Sequence, residues 1–315
     1  MVGAYPIYPV TFDPTAPRQV GGTETMGTKQ KWWLVNRVNG RMVLLKLARP
    51  NTGEDWSEKV AFELAKHLHI PCPRVELAQW EQRWGVLCWD FLVRHHSRNP
   101  GTSAQNLIHG NELLLSRDPT YPVKERYRVS GHTISAVYDV LRHVEHVGHE
   151  NILDDERGDG FDMFVGYLML DALIGNTDRH HENWGVVTRR GQPQVLAPTY
   201  DHASSLGREL SDEKRKARIG VSGKGTVESY ALKTTAAFWS EDEGNRLTPR
   251  EALLAAGRVR PKTLVAWQRR LGALPTETIQ GIVDRVPEVR LTSVGKLFAL
   301  ELLRYNLQAI LELFP

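Results

Sequence analysis

Three oxygen-bearing side chains stand close together in residues 171–206, DALIGNTDRHHENWGVVTRRGQPQVLAPTYDHASSL: Asp178, Asn183 and Asp201. Carboxylate, amide and carboxylate form the ligand set that hard cations such as Mg²⁺ choose, and such cations commonly bridge substrate phosphates. The preceding run FVGYLMLDALIG is apolar and predicts a buried helix that ends at Gly175. WGVV and VLAP, on either side of the turn-rich TRRGQPQ, predict two short strands that carry the chain back to Asp201. Two loops at one end of a hairpin then present the three side chains together.

Elements upstream must supply whatever else the chemistry needs. In VGGTETMGTKQKWW, Gly21, Gly22 and Gly27 permit close backbone approach, and Thr23, Thr25, Thr28, Lys29 and Lys31 supply donors. The stretch is a candidate phosphate-covering loop, although glycine with threonine is also ordinary loop chemistry. KWWLVNRV, Asn39-Gly40 and RMVLLKLA predict a hairpin with a two-residue turn. That register sets Lys46 opposite Trp33, a lone cation on the apolar face of Leu44 and Met42. Such a charge needs an anionic partner, unless it is an edge lysine that snorkels to water. A helix over SEKVAFELAKHLHI, stopped by Pro71, carries Val60, Leu64 and Leu68 on one stripe and offers Glu58 and Glu63 as partners. VELAQW, EQR and WGVLCWDFLV predict a second hairpin ending near Arg94. Its last residues, Trp89 to Leu92 with Phe91 among them, are placed to meet an adenine.

The remainder is less informative. Residues 1–20 are Pro-rich and read as an extended arm, and HHSRNPGTSAQN reads as a linker before helical texture to about residue 160. His132, His143, His146 and His149 share no regular ligand spacing. Arg208 to Lys224 reads as a basic solvated loop. Thr248-Pro249-Arg250-Glu251 is a capping box, and further helices are predicted over 261–271, 276–286 and 293–313. The chain has 315 residues, enough for two lobes of ordinary size, and its 24% charged content is that of a soluble globular protein. Net charge is +3 with scattered Lys and Arg, which argues against nucleic acid as a direct ligand. Cys72 and Cys88 offer neither metal spacing nor a disulfide framework, so a reduced cytoplasmic compartment is expected. No membrane span and no signal peptide are expected.

Three chemistries compete for the central stretch. Phosphotransfer fits best, because Asp-x4-Asn is the spacing of a kinase catalytic loop and a second metal-binding carboxylate follows one hairpin later. A metal-dependent phosphohydrolase would use Asp178, His180, His181, Asp201 and His202. A binding module would leave Asp178 and Asn183 as turn caps.

NTDRHHENWGVV followed by PTYDHASSL resembles the HipA-like serine/threonine kinases, toxin kinases of toxin–antitoxin pairs, in which the pattern is TD-x-H-x-x-N and then P-x-YD. MGTKQKWW resembles their Gly-rich loop and LLKLA the strand of their nucleotide lysine. The resemblance covers about residues 21–210. It implies an α+β, bilobal protein-kinase-like fold, with a small antiparallel-sheet lobe carrying one helix (residues 1–95) and a mainly helical lobe (96–315). It implies ATP held by Gly27, Thr28, Lys31, Lys46, Trp89 and Phe91, with Glu58 holding Lys46. Counting back from Ala65 in the family pattern selects Glu58 over Glu63. It implies Mg²⁺ held by Asn183 and Asp201, and Asp178 as catalytic base toward a Ser/Thr hydroxyl of a protein, with His180 buttressing the loop. Autophosphorylation with Thr23, Thr25 and Thr28 as candidates, and an antitoxin partner, are further implications. The DRH-x-x-N pattern, with Arg179, is also similar to phosphoinositide kinases, type II phosphatidylinositol 4-kinases among them. A lipid acceptor is therefore the alternative, with Arg179 and the basic segment after Asp201 as the expected discriminators.

Overall fold

In a computed structural model of the chain, the described residues are 3–12, 20–23 (backbone only), 30–35, 40–92, 104–146, 152–153, 157–220, 225–242 and 244–313. The first part is a six-stranded sheet with one helix on it. Its elements are β1 (Ile7–Val10), β2 (Val20–Thr23), β3 (Lys31–Val35), β4 (Met42–Leu47), α1 (Glu54–His67), β5 (Val75–Trp80) and β6 (Arg83–Trp89). Strand order is β1-β5-β6-β4-β3-β2. All neighbours are antiparallel except β1, which runs parallel to β5 at the edge. The arm expected at the start of the chain thus contributes a strand.

The hairpin of β3 and β4 forms with a different register from the one the Asn39-Gly40 turn predicts. Lys46 pairs with Lys31, and Trp33 with Leu44. The strands end at Val35 and Met42, so the connection is longer than two residues. The slip is by two positions, which preserves the face, because side chains alternate with period two. Lys31, Trp33, Leu44 and Lys46 therefore still share one side of the sheet, α1's side. The other side is covered by Phe12, Trp32 and Trp80, whose ring centroids lie 4.9–5.4 Å apart.

The rest is mainly helical: β7 (Gln105–His109), α2 (Gly110–Arg117), α3 (Ile134–Leu141), β8 (Glu145–His146), α4 (Gly160–Ile174), β9 (Gly185–Arg189), β10 (Val195–Leu196), α5 (Asp212–Lys216), α6 (Val227–Lys233), α7 (Pro249–Val259), α8 (Pro261–Gly272), α9 (Thr276–Asp284) and α10 (Ser293–Leu311). A second small sheet, β7-β9-β10-β8, carries the hairpin that follows α4. Strand β7 lies where linker and helix were expected. Its residues pair with β9, a long-range contact that local composition does not reveal. The expected solvated loop after Arg208 also differs: it contains α5, capped by Ser211, with Arg215 buried against the carbonyl of Gly207.

Helix α4 is the central rod, buried along its whole length, as its all-round apolar sequence requires. Asp159 caps its start by accepting from the N–H groups of Phe161 and Asp162, and Gly175 ends it in the left-handed region at φ +64°. Gly166 lets α8 come close: a Cβ there would lie 2.5 Å from the Trp267 ring. That ring is fixed in turn by its N–H donating to the Asp162 carbonyl at 2.9 Å.

Gly166→Ala tests this contact. Helix propensity alone would favour alanine by about 1 kcal/mol. Overpacking against a pinned indole costs about 1–3 kcal/mol. A net loss of stability in urea unfolding is expected, and a gain would show that the ring can move aside.

Candidate active site

A cavity of about 390 Å³ opens where the sheet faces the loops after α4. Lys46 Nζ is its centre of charge, 2.6 Å from Glu58 Oε1 and 3.2 Å from Asp201 Oδ1. Lys46 is only 7% exposed. Burial by itself pushes the ammonium pKa down, but the Asp201 and Glu58 carboxylates outweigh it and hold it well above the ordinary value. Glu63, the other glutamate considered, is engaged elsewhere: its Oε1 takes Lys59 Nζ at 2.6 Å, beside Glu76. Lys31, Trp89 and Phe91 also line the cavity, and Phe91 stacks on Tyr200 with ring centroids 5.9 Å apart. Gly27 and Thr28, with Thr25, lie outside the described residues, and of Thr23 only the backbone is described.

Asn183 and Asp201 both line the cavity, and Asp178 precedes Asn183 on the loop after α4. The loop after α4 is tight: the Asp178 carbonyl accepts from the His180 N–H at 2.8 Å and from Asn183 Nδ2 at 2.6 Å. The latter bond fixes the amide of Asn183 and leaves its Oδ1 available to a cation. Asn183 and Asp201 thus offer the hard oxygen donors that Mg²⁺ takes together with phosphates, so the donor set fits that ion. Asp178 keeps a part-exposed carboxylate, with Ser204 Oγ 3.5 Å from Oδ2. Asp201 itself has φ +62°, a backbone state that residues other than glycine rarely adopt.

Arg179 does not face an acceptor. It is 1% exposed and lies beneath the site. Its Nε and Nη2 donate to the two oxygens of Asp171 at 2.7 and 2.8 Å, and its Nη1 donates to the carbonyls of Asn183 and Tyr200 at 2.7 and 3.2 Å. The sequence reading that made Arg179 a discriminator of acceptors is therefore corrected: this residue joins the two site loops. A carboxylate inside the apolar run of α4 was the missed signal, because a buried Asp171 demands a cation. Arg208, placed in a solvated segment by its sequence context, likewise pairs with the buried Glu54 at the start of α1.

The histidines are turned to separate partners. His180 packs edge-on against Tyr127, and its Nδ1 accepts from the Glu182 N–H at 3.2 Å. His181 Nδ1 meets the Tyr121 hydroxyl at 2.8 Å, and His202 Nε2 meets Thr199 Oγ1 at 2.9 Å. These are not the converging rings of a hydrolase metal centre. Burial lowers the pKa of His180 and His132 to about 3. His132 donates from Nδ1 to the Ala237 carbonyl and accepts at Nε2 from the Trp184 indole, so a second ring proton would meet a donor.

Two outcomes follow from these contacts. A depressed histidine pKa favours the neutral, folded form, so the stability is fully present above the ordinary value of 6.5 and is lost as pH falls toward 3. The expected slope is about 1.4 kcal/mol per pH unit per group. Denaturant unfolding at pH 7, 6, 5 and 4 should show this decline, and a shallower one in His132→Gln. An unchanged slope in that variant would remove His132 from the acid response. Arg179→Ala leaves Asp171 buried without a cation, so a loss of about 3–5 kcal/mol is expected in the same assay at pH 7. A loss below about 1 kcal/mol would show that the loops do not depend on the pair.

Comparison with known proteins places this arrangement. The family model of the HipA-like C-terminal domain matches residues 23–286. The proinflammatory kinase CtkA of Helicobacter pylori has a similar structure, with TM-score 0.71 and 19% identity, covering 98% of this chain and 97% of that one. HipA of Shewanella oneidensis MR-1, solved with HipB and operator DNA, aligns with TM-score 0.49 and 14% identity over 91% of this chain and 64% of that one. No curated sequence matches. The α+β architecture, a small sheet carrying one helix and then a helical body, is thus a kinase fold shared with CtkA, and the chain belongs to the HipA-like C-terminal domain family.

Proposed function

We propose that the protein is an ATP- and Mg²⁺-dependent kinase that phosphorylates Ser or Thr of a protein. The observation that carries this reading is the position of Lys46 Nζ, bonded to both Glu58 and Asp201 inside a cavity that Asn183 also lines. In this reading the sheet with α1 (residues 1–95) and the helical body (96–315) are the two lobes, with nucleotide between them. Trp89 and Phe91 flank the base, with Tyr200 stacked on Phe91. Lys31 and Lys46 bind phosphate oxygens, and Gly27 and Thr28, outside the described residues, complete the nucleotide contacts. Asn183 Oδ1 and Asp201 hold Mg²⁺, which when bound neutralises phosphate charge. Asp178 accepts the proton of the attacking hydroxyl. Glu58 keeps Lys46 aimed, and the left-handed backbone at Asp201 directs its carboxylate toward Lys46. Catalysis then rests on positioning and charge, with no covalent step on the protein. Family membership supports an antitoxin partner, autophosphorylation near Thr23, Thr25 and Thr28, and action in the cytoplasm. No helix among the described residues is long and apolar enough to cross a membrane.

The test offers labelled ATP and Mg²⁺ with a protein pool and, separately, with phosphoinositide vesicles. Label is expected in protein. Label in lipid alone would replace the acceptor class, and the burial of Arg179 removes the residue that favoured lipid in the sequence. Asp178→Ala should lower transfer about 10²–10⁴-fold, the usual contribution of a general base. Asp201→Ala should abolish it, both with unchanged far-UV circular dichroism. Retained transfer in either variant would refute the role given to that residue.

A further inference from the structure

Beside the cleft lies a second recess, of about 20 Å³. Arg126 borders both cavities, and His180, whose Nε2 stands 3.9 Å from Asp178 Oδ1, borders the recess. Three arginines, Arg126, Arg128 and Arg246, line it, with no Asp or Glu. Arg126 Nε pairs with Glu182 Oε2 at 2.7 Å, and Arg246 donates to the carbonyls of Ala236 and Thr235. Arg128 is exposed and has no ion-pair or hydrogen-bond partner among the described residues. Its backbone is held at φ +62°, a conformation that surroundings must impose on a bulky residue.

Two ring nitrogens of the wall are buried without a partner. One is Trp239 Nε1, always a donor. The other is His181 Nε2, which carries the ring proton when the Tyr121 hydroxyl donates to Nδ1. A buried donor left without an acceptor has lost its hydrogen bond to water and gained none, so two in one wall call for an acceptor group. The fixed positive charge of the recess is that of the three arginines.

We propose that the recess is a subsite for a phosphomonoester borne by the acceptor polypeptide, close to the hydroxyl that Asp178 engages. The inference rests on the protein-kinase reading above and narrows its substrate to segments already phosphorylated near the acceptor. Guanidinium groups and ring N–H donors on several sides suit a group with three terminal oxygens and a dianionic charge. The recess exceeds the ~10–15 Å³ that one water-sized group needs by too little for a ring. It admits one terminal oxygen of the phosphate and leaves the others, with the rest of the residue, at its mouth beside Arg128 and the 61%-exposed Tyr127.

The test uses the full chain and two readouts. In ¹H–¹⁵N spectra the Trp239 indole resonance is assigned by its loss in Trp239→Phe. A short peptide amide containing phosphoserine is titrated, with its serine counterpart as control. A saturable Trp239 shift with the phosphopeptide alone is expected, with the apparent Kd raised at least tenfold in Arg128→Ala. No saturable shift, or an equal response in Arg128→Ala, overturns the site. Mg·ATP added to the same sample reports on the cleft through Trp33 and Trp89, so a failure of the nucleotide reading is seen separately. In the kinase assay, a Ser peptide bearing phosphoserine near the acceptor should show a KM at least tenfold below that of the unmodified peptide. That advantage should disappear in Arg128→Ala. Equal KM values, with inorganic phosphate shifting Trp239 as well as the peptide does, would mark a free-phosphate site and overturn the assignment to the acceptor.

Discussion

One guanidinium holds the site together from below. Arg179 meets Asp171 on α4, the carbonyl of Asn183 and the carbonyl of Tyr200. It therefore ties the end of the central rod to the loop bearing Asp178 and Asn183 and to the loop bearing Asp201. A planar fork with donors in fixed directions can do this where a lysine could not. The pair is fully buried, so it is sound only while whole: either half alone is an uncompensated charge in an apolar interior. Asp171 is further fixed by Asn176 Nδ2, and Asn176 Oδ1 accepts the N–H of Asp178. The three site residues thus owe their spacing to groups that never reach the cleft.

The loop at Asp201 shows the same over-determination. Asp201 and Leu206 both have left-handed backbone, which costs about 1–2 kcal/mol for residues with a Cβ. The stretch between them is held at many points. Ser57 Oγ donates to the Ala203 carbonyl, the Thr177 N–H to the Ser204 carbonyl and the Leu206 N–H to the Ile174 carbonyl. Backbone strain sustained by this many contacts usually marks a functional position. Here it falls on the carboxylate shared with Lys46.

Much of this was legible in the sequence, because it was local. The all-round apolar run and its closing glycine specify α4. The capping box before α7 forms as written, with Thr248 and Glu251 exchanging bonds. The last three helices begin where they were expected, at Pro261, Thr276 and Ser293. What composition concealed was long-range. Strand β7 has no strand-like texture and exists because β9 pairs with it. The Lys31–Lys46 register follows from where the strands stop, and an Asn-Gly pair in the sequence suggested a tighter turn. Arg179 and Arg208 have charges that read as surface, and only the burial of Asp171 and Glu54 turns them inward. The recess beside the cleft draws on residues 126–129 and His132, on His180 and His181, and on Ala237, Trp239 and Arg246, which no spacing rule connects.

Helix α1 packs on the sheet, and its first turn is fastened to the body below it. Arg290 forms a two-bond fork with Asp55 at 2.6 and 2.7 Å, Arg208 takes Glu54, and the Gly53 N–H donates to the Arg208 carbonyl. Even the arm before β1 is held this way, with the Tyr5 N–H bonded to the Arg285 carbonyl. The sheet with α1 is accordingly not separable in folding from the helices that follow it. Cut before β7, the first piece would leave the buried Asp55 without Arg290 and Glu54 without Arg208, so it would not be an autonomous unit. Glu58 thus sits between the two parts, one turn after the acids tied to the body and bonded to Lys46 on β4. Loosening of the bonds at Asp55 and Glu54 would therefore be felt one turn on, at the Lys46–Glu58 pair.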